Sequence, residues 1–140
     1  MAIVARVLRD TVVNAPGAGG TVTLKVDIED DAAANTAILD GSTLDGHANG
    51  AKLHIARIWW ALTQGSADDD TGHVEIQEVS SGTDIVQIRL AGTGHYDGSA
   101  GAIKAAATNT TVTSSDITAQ TRGTSGFVIL EFRKDEAYTA

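Results

Sequence analysis

The feature that most constrains this chain is a two-residue rhythm. In GTVTLKVDIED (residues 20–30), Val22, Leu24, Val26 and Ile28 alternate with Thr21, Thr23, Lys25 and Asp27. Successive side chains of a β-strand point to opposite faces, so this period describes a strand with one apolar and one wet face. The rhythm recurs along the chain. DIVQIRL (84–90) sets Val86, Ile88 and Leu90 against Gln87 and Arg89. HVEIQEV (73–79) turns Val74 and Ile76 inward, and SSGTD (80–84) between these two runs reads as a hairpin turn. Near the end, GFVILEFRK gives one face Val128, Leu130 and Phe132, and the other Phe127 and Ile129, then Glu131 and Arg133. Residues 3–13 and 110–118 are weaker strand candidates.

Helical signals are few. DDAAANTAIL (30–39) offers either two or three helical turns, capped by Asp30 or Asp31 and stopped by Gly41, or a long loop. AGAIKAAATN (100–109) reads as loop with helical turns. Gly, Ser, Asp and Asn clusters separate the apolar runs, with no strand–helix alternation. The expected fold is therefore all-β. It is an antiparallel β-sandwich or jelly roll of about seven or eight strands, with little helix and two long loops, 29–50 and 91–109. With 140 residues, the chain fits one domain over 1–140. Its apolar N-terminal strand and its YTA tail are expected to serve as extended arms.

Cysteine is absent, which excludes disulfides, Cys-ligated zinc and a thiol nucleophile. The net charge is −8, from 10 basic and 18 acidic residues, and no compact Lys/Arg cluster stands out in the sequence. Nucleic-acid binding is disfavoured on that ground. In MAIVARVLRD the arginines lie within the apolar run, unlike a signal peptide, and no run approaches a membrane span. The expectation is a soluble protein with no membrane partner.

Candidate chemistry is thin. SADDDTGHVE clusters Asp68, Asp69 and Asp70 near Gly72 and Glu75. Such carboxylates suit calcium, but the spacing is not that of an EF-hand, and a solvated turn is the plainer reading. His47, His54, His73 and His95 are scattered without a metal-binding spacing. PGAGGT (16–21) and AGTGHYDGSAGA (91–102) lack the P-loop lysine pattern, and no G-x-S-x-G elbow is present. The chain is expected to be non-enzymatic, with no catalytic residue and no cofactor.

Both tryptophans fall in IARIWWAL (55–62). Strict alternation groups Leu53, Ile55, Arg57, Trp59 and Ala61 against His54, Ala56, Ile58, Trp60 and Leu62. The apolar face switches at Ala56–Arg57. A β-bulge produces such a slip, and so does a strand buried on one face early and on both later. With a bulge, Ile58, Trp60 and Leu62 join Leu53 and Ile55 in the core, and Trp59 points out beside Arg57. Trp59 then needs a cover: either segment 29–50 of the same chain, or a partner. Phe127 and Ile129 pose the same problem. Trp59, Arg57, Phe127 and Ile129 are thus the candidate interface residues.

An acidic, Cys-free, Thr/Gly/Ala-rich all-β chain closing in SGFVILEFRK (125–134) resembles small virion proteins of tailed phages, capsid decoration (cement) proteins most of all. The resemblance covers overall texture and the final strand. It implies a homo-oligomer that is made in the host cytoplasm, adheres to the major capsid protein at the capsid surface, and reinforces the shell. A carbohydrate-binding β-sandwich with Trp59 as sugar platform is the alternative from another class. A phage tail or baseplate component is a third reading.

Overall fold

The structure, a computed structural model, describes residues 3–12, 20–31, 36–64, 72–80, 83–105, 115–135 and 138. Among these the chain forms nine strands: β1 (Ile3–Val12), β2 (Gly20–Asp31), β3 (Thr36–Leu39), β4 (Leu53–Gln64), β5 (His73–Ser80), β6 (Thr83–Ala91), β7 (Thr93–Tyr96), β8 (Ile117–Arg122) and β9 (Thr124–Lys134). The only helical element among the described residues is a 3-10 turn at Gly41–Thr43, where the Asp40 carboxylate accepts from the Ser42 N–H.

The strands form two antiparallel sheets, ordered β1-β2-β9-β4-β7 and β3-β8-β5-β6. Strand β2 pairs with β9, β3 with β8, β4 with β7 and β5 with β6. This is one long hairpin of eight strands folded over on itself, the jelly-roll arrangement, with β1 added at one edge. The alternating residues meet as the sequence demands. Val22, Leu24, Val26, Ile28, Ile58, Leu62, Val74, Ile76, Leu90, Val128, Leu130 and Phe132 are all buried in one core between the sheets.

Three local expectations are corrected. Segment 30–39 is not helical where described: β2 continues to Asp31, and Thr36–Leu39 is a strand paired with β8. Leu39 and Ile38 are wanted in the core, and a short edge strand buries them without a helix. Segments 29–50 and 91–109 are not two long loops, since they contain β3 and β7, which raises the strand number from the expected seven or eight to nine. Val86 lies opposite Gln77, whereas Ile88 lies opposite Ile76, because a bulge in β6 shifts the register there. One extra residue moves Val86 off the face shared by Ile88 and Leu90.

The tryptophan strand slips as its alternation requires. Against β9, Ile55 pairs with Phe132 and Arg57 with Glu131, leaving Ala56 as the additional residue. The bulge hands the core face from Leu53 and Ile55 to Ile58, Trp60 and Leu62. Trp60 packs against the core and donates its indole N–H to the Ala91 carbonyl at 2.9 Å. Its ring needs a gap in β7: a Cβ on Gly94 would sit 2.7 Å from Cζ2. Gly126, between β2 and β4, has φ 137°, and a Cβ there would fall 2.0 Å from the Ala61 carbonyl oxygen. Glycine is thus required for β9 to approach β4 at that point.

Residues Ile3–Val12 are hydrogen-bonded along β2, and Tyr138 is fully buried; Thr139 and Ala140 of the YTA tail lie outside the described residues. Tyr138 donates to the Gly41 carbonyl at 3.1 Å, and burial pushes its phenol up to about 12. Beside it lies Lys134, which continues the inward series Val128, Leu130, Phe132. Its ammonium contacts Asp10 of β1, donates to the Asp45 carbonyl at 2.9 Å and lies 5.2 Å from the Tyr138 ring centre. Asp10 also accepts from the Asp45 N–H at 2.9 Å. First strand, last strand and the 40–50 segment are thereby held by one buried charge pair.

Candidate docking face of the five-stranded sheet

The outer face of the larger sheet can be read row by row from its pairing. One row runs Arg6, Lys25, Ile129, Trp59, His95 across all five strands. The row above it is Val4, Asp27, Phe127, Ala61, Thr93. The row below is Arg9, Thr23, Glu131, Arg57, and the next is Thr11, Thr21, Arg133, His54. The four residues singled out in the sequence therefore meet. Trp59 is directly opposite Ile129, with Phe127 on the diagonal and Arg57 opposite Glu131 in the neighbouring row.

These apolar side chains are not covered by the described part of segment 29–50. Strand β3 belongs to the other sheet, and residues 40–50 lie by Asp10, Lys134 and Tyr138. Trp59 remains 38% exposed and Phe127 36%, while Ile129 is half-buried between them. Covering what remains of Trp59 and Phe127 removes roughly 150 Å² of apolar surface, about 4 kcal/mol gross. A charged frame surrounds the patch. Arg6, Arg9, Arg57 and Arg133 are exposed, and Lys25 pairs with Asp27 of its own strand at 3.5 Å.

His54 stands at one border of this face. Its Nδ1 accepts the Ala105 N–H at 2.9 Å, which fixes the neutral ring. Burial, and then the positive charge of Arg133, hold its pKa below 6.5. His95 is exposed opposite Trp59, and Asp97 accepts the Ser99 N–H at 2.9 Å as a turn cap.

The outer face of the smaller sheet is different. Glu75 is buried there, and its carboxylate takes the Arg89 Nε–H at 2.9 Å and the Gln77 amide at 3.2 Å, with His73 3.7 Å away. The Arg89 hydrogen bond holds Glu75 below the usual carboxylate range. Glu75 is thus committed to its own sheet; Asp68, Asp69 and Asp70 lie outside the described residues. No group of three or more His, Cys, Asp or Glu side chains able to hold a metal occurs among the described residues.

Ser115, Asp116 and His47 gather beside Gly41 and Tyr138. Ser115 Oγ and His47 Nε2 are both buried without a hydrogen-bond partner, so no Ser–His hydrogen bond is formed. Asp116 accepts the Gly41 N–H at 3.0 Å, and burial raises its pKa. His47 packs edge-on against Tyr138 with ring centres 5.8 Å apart.

Sequence reasoning reached Trp59, Arg57, Phe127 and Ile129, and alternation placed Arg133 on the face of Phe127 and Ile129 and Lys25 on the wet face of β2. It did not bring Arg6, Lys25 or His95 beside Trp59, because that proximity is a property of strand order. No family model, curated protein or solved structure matches the chain.

Proposed function

We propose that the chain is a non-enzymatic virion structural protein that adheres to an assembled phage capsid shell and reinforces it. The observation that carries this reading is the cluster of exposed Trp59 and Phe127 with half-buried Ile129 on the outer face of the five-stranded sheet. Exposed Trp with apolar neighbours is the composition of interface hot spots. Jelly rolls occur in viral capsid domains, and the closing segment SGFVILEFRK resembles that of decoration proteins. The fold alone decides nothing, since jelly rolls host unrelated functions. The reading is tested by co-sedimenting the protein with intact shells of the virus that encodes it. Wild type pellets with shells and raises their resistance to heat, and Trp59→Ala remains in the supernatant.

A second reading is favoured by the same ring. A partly exposed Trp on a sheet face is a platform for a sugar, and lectins also use jelly rolls. Glycan-array binding that is lost in Trp59→Ala, with no shell binding, selects it.

A further inference from the structure

The charges of this molecule are unevenly divided. The outer face of the five-stranded sheet carries Arg6, Arg9, Lys25, Arg57 and Arg133, five of the ten Lys and Arg of the chain. Among the described residues its acidic side chains are Asp27, Glu29 and Glu131. Counted over the described residues, that face is net positive, in a protein of charge −8. The smaller sheet shows no such bias: on its outer face Arg89 and Arg122 stand with Glu75 and Asp84. Linear sequence hides this, because the five cations come from four strands. Pairing brings them into rows around Trp59, Phe127 and Ile129.

We infer that this face docks on an acidic protein surface whose carboxylates ring an apolar centre, and that on the shell it selects a site of that chemistry. The inference rests on the capsid-binding reading and adds the nature of the surface bound. Charge complementarity argues for it. Apolar contact at Trp59 and Ile129 supplies the centre, and the exposed guanidiniums of Arg6, Arg9, Arg57 and Arg133 supply a frame that pairs with carboxylates through directed hydrogen bonds. Such a frame repels the same face of a second copy but steers an acidic partner into register, and it raises the association rate most at low salt.

The test is co-sedimentation of the full chain with shells, from low salt to about 0.5 M NaCl. Wild type, the double variant Arg57→Glu with Arg133→Glu, Trp59→Ala, and Arg122→Glu on the opposite sheet are compared. Expected are a loss of about tenfold or more in wild-type affinity across that salt range, and a similar loss at low salt in the double variant. Arg122→Glu binds as wild type. Shell binding that is indifferent to salt and to the double variant overturns the acidic partner while leaving the capsid reading intact. Wild type that never pellets overturns both. Binding of the same face to duplex DNA, or self-association abolished by the double variant in place of shell binding, assigns the face to another occupant and also overturns the inference.

Discussion

Trp59 and Trp60 are adjacent, chemically identical and used in opposite ways. Trp60 fills the space left by Gly94 and anchors its N–H on Ala91, whereas Trp59 lies on the open face beside Ile129. Trp60→Ala is therefore expected to cost about 3 kcal/mol, through lost burial and a cavity. Trp59→Ala is expected to cost about 1 kcal/mol or less, the size of a cross-strand pair. Urea denaturation measures both, and equal losses would contradict the assignment of faces. His54 gives a second residue-scale expectation. Its folded pKa lies below 6.5, so between that value and 6.5 the unfolded chain binds more protons, and stability falls as pH drops through this window. Protonation also removes the acceptor for the Ala105 N–H. Wild type should lose stability from pH 7 to 5 more steeply than His54→Gln, with the His54 NMR titration midpoint below 6.5. A midpoint above 6.5 contradicts the burial argument.

At the scale of elements, the bulge in β4 and the charge pair at the end of β9 carry most of the design. Deleting Ala56 removes the additional residue, so that strict alternation alone keeps Leu53, Ile55, Ile58, Trp60 and Leu62 on the core face and Arg57 outward. The deleted chain is therefore expected to keep a cooperative thermal melt followed by circular dichroism; loss of that transition would mean that the strand needs the bulge itself and not only the facing it provides. Lys134→Ala leaves Asp10 without its cation in a mostly buried site and is expected to cost about 3 kcal/mol. Pairing Lys134→Met with Asp10→Leu should recover most of that loss, and a double-mutant cycle separates the coupling from simple packing. The bulge was legible in the sequence, because Ile55 and Ile58 cannot share a face otherwise. So was the inward aim of Lys134, as the next member of Val128, Leu130 and Phe132. Its partner was not legible: Asp10 is 124 positions away and reaches it only through the sheet order. Strand β3 escaped sequence reasoning because Ala-rich flanks favour helix locally, and the core's need for Ile38 and Leu39 prevails over that preference.

At the scale of the whole molecule, alternation specified two-faced strands and hence a sandwich, while the pairing of β2 with β9 and β3 with β8 depends on contacts far apart in sequence. The same holds for the docking face. Trp59 and Phe127 announced themselves as apolar residues on wet faces, but the basic frame emerges only when β1, β2, β9 and β4 lie side by side. The central claim is that this assembled face meets the shell. A cryo-electron-microscopy reconstruction of shells decorated with the protein tests it most directly. The account predicts jelly-roll density with the β1-β2-β9-β4-β7 sheet lying against the shell and Trp59 in the contact. Density with that sheet facing solvent, and the β3-β8-β5-β6 sheet or a sandwich end on the shell, would contradict it.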